Sequence, residues 1–266
     1  MNFYETVTAA IADLTLHGYD SQQRVDMWME RIRNSAVASL TPENVLIDGL
    51  RATLTTVYRR AVESPAALRV APGISRFTVD RLKPKLRAEL DRRIAVSANL
   101  IKLNRQEMIG KTLQRFAGWA SSIPPGGSDA VDKREESLHI RKSLKSLPFA
   151  ERRVAIDQGH KLLADINDVI AVDAGAIAAE WRSRWRQPGY DYREDHKERD
   201  GKVWAIRGNW ALEKGLMKPG PDGYTDDITK PGEEIFCRCS YRYLYTLRSL
   251  PDTMLTAKGL AAVNRG

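Results

Sequence analysis

The chain has 266 residues, of which 42% are hydrophobic and 29% are charged. This balance supplies enough apolar side chains for a core and excludes the composition typical of disordered chains. No apolar stretch approaches the roughly 20 residues that a membrane-spanning helix needs. The first residues lack the basic and apolar regions of a secretory signal, and two cysteines cannot form a disulfide scaffold. We therefore expect folding in a reducing cytoplasm, without a membrane partner.

The net charge of +8 is concentrated in one segment. Residues 51–115 hold fifteen Lys or Arg and five Asp or Glu, whereas residues 1–50 hold three and seven. Such a segment favours a polyanion or an acidic protein surface as a partner, although a solvated helix face would have the same composition. The candidate residues for binding DNA or a partner are Lys83, Lys85, Arg87, Arg92 and Arg93.

The first third of the chain is predicted to be helical. Ser21 is a plausible N-cap for a run to about Leu40, in which apolar residues recur every three or four positions. Thr41-Pro42-Glu43 is typical of a second helix start, because proline suits the first helical position and a carboxylate suits the first turn. Ser64-Pro65 and Pro72-Gly73 then interrupt the helical pattern.

Two further helices are predicted at residues 77–105 and 106–120, with a kink or a start at Pro84. The stretch Pro124-Pro125-Gly126-Gly127 that follows cannot continue a helix and reads as a linker. We therefore expect the chain to divide into three parts. These are a helical region at 1–122, a linker at 123–134 and a compact domain at 135–266.

The predicted class is α+β, with a mainly helical N-terminal region and a small α+β domain whose antiparallel strands come late. Helices are predicted at residues 133–144 and 148–172. From about Ala176 onward, turns and short alternating stretches replace the helical period. Residues 234–245, rich in aromatic and small side chains, read as a strand.

Three residues of the C-terminal part are weak candidates for a metal site. Cys237 and Cys239 would face the same side of the predicted strand, and a disulfide between them would need a strained small ring. With His196 they offer three zinc ligands, and Asp195, Asp200 or water would have to be the fourth. The alternative interpretation is that the two cysteines simply pack in the core.

A catalytic interpretation is also open. His196 lies among acidic residues and resembles a general base, and Cys237 is a conceivable nucleophile. However, the sequence contains no phosphate-binding loop, no nucleophile elbow and no zinc-protease motif. We therefore expect no enzymatic activity, no catalytic residues and no obligatory cofactor.

The order of short motifs in this region resembles a family signature. Asp-x-Arg-x-x-His is followed by Asp-Gly-Lys-Val, then by a Pro-Gly loop, and then by Cys-Arg-Cys. This order resembles the phage Mu F-like minor head proteins, also called the phage head morphogenesis family, over residues 150–245. The matching residues are Asp191, Arg193, His196, Asp200, Gly201, Pro231, Gly232, Cys237, Arg238 and Cys239. Glu194 stands where the family often has proline, which marks a divergent branch.

The resemblance implies a virion protein that is present in few copies inside the head near the portal and is assembled in the host cytoplasm. Its expected partners are the portal or the major capsid protein, and packaged double-stranded DNA. In this interpretation Arg193, His196 and Asp200 organise the loop before the cysteines as a scaffold. The alternatives are a metal-dependent nuclease or transferase that uses His196 and Cys237, and a free DNA-binding protein.

Overall fold

The computed structural model describes residues 1–64 and 74–265. The interruptions predicted at Pro65 and at Pro72-Gly73 lie outside these residues. The chain forms two compact units, and each unit draws on two separate stretches of sequence. The first unit consists of residues 1–50 and 96–154, and the second of residues 51–95 and 155–266.

Helices make up the first two thirds of the chain. They are α1 (Phe3–His17), α2 (Gln22–Ser39), α3 (Glu43–Tyr58), α4 (Arg76–Ala120) and α5 (Lys133–Asp173), and a π-helical turn at Arg59–Glu63 follows α3. The start predicted for α2 is confirmed, because the Ser21 side chain accepts a hydrogen bond from the backbone N–H of Arg24. None of the described helices combines the length and apolar content required to cross a bilayer.

The two long helices correct the predicted helix ends. The helices expected at 77–105 and 106–120 are one helix, α4, and those expected at 133–144 and 148–172 are one helix, α5. Pro84 and Pro148 lie inside these helices without ending them. An internal proline costs a hydrogen bond, but α4 buries Leu82 and Leu86 on either side of Pro84, and this burial favours the continuous helix.

The first unit has a helical core, to which α1, α2, α4 and α5 contribute Ile11, Ile32, Phe116 and Ile140 among others. The predicted linker at 123–134 connects α4 to α5 within this unit. Gly127 has a positive φ of 87°, and a Cβ there would lie 2.2 Å from the carbonyl oxygen of Thr15. The connection is thus packed on α1. It does not separate the two units, because the boundaries between them fall inside α3, α4 and α5.

The second unit contains a three-stranded sheet. Its strands are β1 (Ala178–Arg182), β2 (Val203–Ala205) and β3 (Ser240–Leu244). The order is β2-β1-β3, both pairings are antiparallel, and Ala178 pairs with Ala205 on one side and with Leu244 on the other. Three short helices accompany the sheet: α6 (Glu194–Glu198), α7 (Trp210–Glu213) and α8 (Ala257–Arg265). The predicted α+β class with late antiparallel strands is confirmed.

The strand expected at 234–245 is shorter than predicted. Only Ser240–Leu244 is extended, and the residues before it form a turn and a loop that contain both cysteines. Phe236 has a φ of 60°, in the left-handed region that a β-strand cannot contain. Cys237 and Cys239 therefore precede the strand, and they pack with Trp181 and Trp204 in a small apolar cluster.

Candidate functional site

His196 lies at the centre of a buried cluster in the second unit. It belongs to the short helix α6, between the extended residue Arg193 and the turn into β2. Only 1% of His196 is exposed, and its ring meets the indole of Trp181 on β1 edge-on, with the ring centroids 5.1 Å apart. The imidazole is therefore held in place by the sheet on one side and by the loop that carries the cysteines on the other.

Both thiols approach the same nitrogen of this imidazole. The Sγ atoms of Cys237 and Cys239 each lie 3.7 Å from His196 Nδ1. The turn at Phe236 brings the loop back over α6, and the i, i+2 spacing then places both sulfurs on one side of the loop. Both cysteines are buried and neither forms a disulfide. The donor atoms of the three residues lie within 4.8 Å of one another.

The other nitrogen of the ring faces a carboxylate. Glu234 Oε1 lies 3.2 Å from His196 Nε2, and Glu234 is itself held by Arg193 Nε at 2.8 Å and by the Thr229 hydroxyl at 3.0 Å. Burial acts to raise the pKa of Glu234, but the hydrogen bonds from His196 and Thr229 outweigh it and lower this pKa. A carboxylate at Nε2 favours the tautomer with the proton on Nε2 and leaves the lone pair of Nδ1 directed at the thiols.

The two thiols have different environments. The Cys239 thiol and the backbone N–H of Gly232, the latter 3.4 Å from Sγ, donate to Cys237 and lower its pKa. The same interaction with Cys237, together with burial, raises the pKa of Cys239. Cys237 is therefore the more acidic of the two thiols, and its sulfur is also the one that accepts a backbone hydrogen bond.

Helix α5 anchors the cysteine loop through a buried charged pair. Asp157 Oδ1 accepts a hydrogen bond of 2.6 Å from the backbone N–H of Phe236. Lys161 Nζ donates to the carbonyl oxygen of Glu233 at 2.7 Å and lies 3.6 Å from Asp157 Oδ2. The sequence analysis missed both residues. Their signal was an Asp and a Lys four positions apart in a predicted helix, a spacing that brings the two side chains together on one side of the helix.

Asp200 and Gly201 complete the turn between α6 and β2. The Asp200 carboxylate accepts hydrogen bonds from the backbone N–H of Ser183 at 2.8 Å and from the Trp185 indole at 3.0 Å. Gly201 has a positive φ of 82°, and its N–H donates to the carbonyl of Trp181. Asp200 thus fixes the end of β1 and does not contact the imidazole.

The remaining candidates lie outside the buried cluster. Arg238 is exposed, and its guanidinium lies over the Tyr190 ring, 5.6 Å from the centroid. Asp191 is exposed, and within the described ranges no hydrogen bond or ion pair joins it to His196 or to the thiols. Glu234 was missed as a site residue, because nothing in its sequence position marks it as the partner of His196 and Arg193.

A cavity of about 430 Å³ adjoins the cluster, and Cys239 lines it. Lys230, Arg184 and Arg238 supply positive charge to its wall. Asp168, also in the wall, accepts hydrogen bonds from Lys230 at 2.7 Å and from the Tyr243 hydroxyl at 3.0 Å. The cavity is therefore lined by cationic, carboxylate and aromatic side chains beside one of the two thiols, with Asp165 as the second carboxylate.

The basic candidates lie on the part of α4 that belongs to the second unit. Lys83, Arg87 and Arg92 form ion pairs with acidic residues of the same helix, and Lys85 is exposed. Arg92 and Arg93 both pair with Glu89 and with Asp165 on α5, but Arg93 differs in its burial, because only 13% of its side chain is exposed, against 52% for Arg92. Arg93 therefore stabilises the unit and is poorly placed to bind a phosphate.

No protein-family model, curated protein or solved structure matches this chain.

Proposed function

We propose that this chain is a minor structural protein of a phage virion, which acts in head morphogenesis near the portal. The proposal rests on the motif order set out under Sequence analysis, which resembles the Mu F-like minor head proteins. The observation that carries it is the convergence of these motifs: Arg193 and His196 meet Glu234, and both thiols meet His196, across about 40 residues of chain.

The burial of this cluster supports a scaffold role for it. The imidazole of His196 is almost completely enclosed, and both of its nitrogens already face protein atoms. A general base has to reach the proton that it removes, and an enclosed ring with two occupied nitrogens has no such access. The polar contacts instead connect α6, the cysteine loop and α5, which is what a rigid docking module requires.

Lys83 and Arg87 lie about one turn apart and form a basic face of α4, whereas Lys85 lies on another side of the helix. This face supports contact with an acidic partner. Lys85 is exposed, and Lys83 and Arg87 are partly or fully exposed even though they pair within the helix. Exposed ion pairs are weak, so these side chains can exchange an intrahelical carboxylate for a phosphate or for an acidic protein surface. We propose that this face meets packaged DNA or the portal.

The test is the composition of phage particles produced from a genome that encodes this chain. DNA-filled heads are purified by density, the chain is quantified by mass spectrometry, and lysine cross-links are mapped. We expect a few copies per head, protection from added protease until the heads are opened, and cross-links to the portal or the major capsid protein. Absence of the chain from both filled heads and empty precursors would contradict the proposal.

A further inference from the structure

We propose that His196, Cys237 and Cys239 form a zinc site, with Nδ1 of the histidine and the two sulfurs as ligands. The inference does not depend on the role of the protein in the virion. Two thiolates and an imidazole form a donor set that suits Zn²⁺, whereas Mg²⁺ and Ca²⁺ prefer oxygen. Two thiolates also neutralise the charge of the ion, which a buried position requires.

The distances agree with a tetrahedral ion. Zinc bonds of about 2.3 Å to sulfur and about 2.0 Å to nitrogen place the two donor atoms roughly 3.6 Å apart. Each of the two sulfur-to-Nδ1 distances is 3.7 Å, and the sulfurs fall within 4.8 Å of one another. The three ligand atoms come from two distant parts of the chain. They already have the spacing that a bound ion would impose.

Hydrogen bonding alone explains this convergence poorly. Nδ1 has a single lone pair, which accepts one good hydrogen bond, yet two thiols lie at the same distance from it. The Cys239 thiol can also donate to Cys237 or to the Ser183 hydroxyl, but the Ser183 oxygen is no closer, at 3.8 Å. Thiols are weak donors, so an arrangement in which both thiols share Nδ1 as acceptor would stabilise the folded protein very little. A cation between the three atoms satisfies the lone pair and both sulfurs together.

The surroundings match those of metal-bound histidine and cysteine. Metal-ligating histidines usually donate their other N–H to a carboxylate, and Glu234 takes this position at His196 Nε2. Arg193 and Thr229 in turn fix Glu234. The N–H of Gly232 points at Cys237 Sγ, as expected for a donor that stabilises a thiolate. Glu234 is therefore a positioning residue of the site.

The fourth coordination position belongs to water in this proposal. Within the described ranges, no fourth His, Cys, Asp or Glu donor joins the group. Cys239, one of the three ligands, lines the cavity, which places the site beside a space that water can fill. A ligand with an anionic group would be attracted to the same space by Arg184 and Arg238.

The experiment uses the full chain, purified under reducing conditions without chelator from cells supplied with zinc. Elemental analysis is expected to find close to one zinc ion per chain. The Cys237→Ser/Cys239→Ser double variant should contain none. His160→Ala is the matched control, because His160 belongs to the same unit but not to the ligand group, and this variant should retain the ion.

Two further measurements test zinc binding without the double variant, which could lose the ion simply because it fails to fold. Cobalt added to the metal-free wild-type chain should give the charge-transfer absorption of two thiolate ligands and the visible bands of a tetrahedral ion. Glu234→Gln keeps all three ligands and should bind zinc 10–100-fold more weakly in competition with a chelator. A wild-type chain that binds neither zinc nor cobalt, or a double variant that retains the zinc, would overturn the proposal.

Discussion

Phe236 adopts a backbone conformation that side chains with a Cβ rarely occupy, and this turn aims the cysteines at His196. Its φ of 60° costs about 1–2 kcal/mol relative to an ordinary turn. Contacts on both sides of the peptide offset this cost: the N–H of Phe236 donates to Asp157, and its carbonyl accepts a hydrogen bond from the Tyr190 hydroxyl. A strained residue held by two long-range contacts is typical of a loop that is shaped for a site.

Glu234 gives a prediction with a defined pH dependence. Its pKa is lowered in the folded protein from 4.5, so its contribution to stability is present above that pH and is lost as the pH falls through the folded-state pKa. Glu234→Gln should therefore lower the free energy of unfolding by about 1–3 kcal/mol near neutral pH. Below about pH 4 the difference from wild type should shrink.

Urea unfolding of the metal-free proteins measures this difference without a contribution from bound zinc. A loss of stability that is the same at both pH values would show that the charge of Glu234 does not matter. In that case the carboxylate would act only through the shape of its side chain.

Gly232 gives a second prediction for a single residue, which concerns the stability of the folded protein. It has a φ of 90°, and a Cβ there would lie 3.0 Å from the Cβ of Ala164 on α5. Gly189 has a φ of 71° with nothing near its missing Cβ, so Gly189→Ala reports the backbone strain alone, about 1 kcal/mol. Gly232→Ala should cost about 1–3 kcal/mol more, because the cysteine loop must also move away from α5. Equal unfolding midpoints for the two variants would rule out this close packing.

At the scale of elements, α5 holds the cysteine loop through Asp157 and Lys161. Asp157→Ala leaves the N–H of Phe236 without its acceptor and the buried Lys161 ammonium without its opposite charge, although Lys161 keeps its hydrogen bond to the carbonyl of Glu233. We expect a loss of about 3–5 kcal/mol. The Asp157→Ala/Lys161→Met double variant removes the stranded charge as well. Its loss should be clearly smaller than the sum of the losses of the two single variants. Additive losses in denaturant unfolding would mean that the two residues act separately.

The elements also show how far the sequence could be interpreted. The buried apolar side of α2 and its N-cap Ser21 were predictable, because they depend only on the spacing of nearby residues in the sequence. The continuation of the helices across Pro84 and Pro148 was not predictable. The apolar contacts that offset the hydrogen bond lost at a proline come from distant residues. The strand that was expected to carry the cysteines does not extend back through Phe236 for the same reason. The conformation of Phe236 depends on Asp157, which lies 79 residues earlier.

The residues of the site also divide into those that could be predicted from the sequence and those that could not. The motif order indicated that His196 and the two cysteines form a group, and the structure brings them together. Glu234, Asp157 and Lys161 lacked a motif, because each is defined by a partner far along the chain. Arg93 was included with the phosphate-binding candidates on charge alone. Arg92 pairs with the same two carboxylates, Glu89 and Asp165, so it is the burial of its side chain that distinguishes Arg93.

At the scale of the whole molecule, the basic residues of α4 predict DNA binding that depends on salt. In the Lys83→Glu/Lys85→Glu/Arg87→Glu variant, the slope of log affinity against log salt should fall by about 0.9 for each phosphate contact that is lost. The control Lys142→Glu/Lys145→Glu/Arg152→Glu makes the same change in net charge at exposed positions of α5. Fluorescence anisotropy with a short duplex measures both.

The control variant should keep the wild-type slope, apart from a general loss of affinity. If both triple variants lose the same slope, the binding depends on net charge and not on these residues of α4. A wild-type chain that does not bind DNA at low salt would leave an acidic protein surface as the partner of these residues.

The interleaved make-up of the two units has a consequence for synthesis on the ribosome. The helices α1 and α2 of the first unit emerge early, but its second stretch, residues 96–154, follows residues 51–95 of the other unit, so the first unit is complete only at position 154. Residues 51–95 wait still longer, because their unit is completed only after strand β3 has been made. The nascent chain therefore exposes the apolar positions of residues 76–95 of α4 until β3 has been made, and a chaperone that shields such surfaces would raise the yield of folded protein.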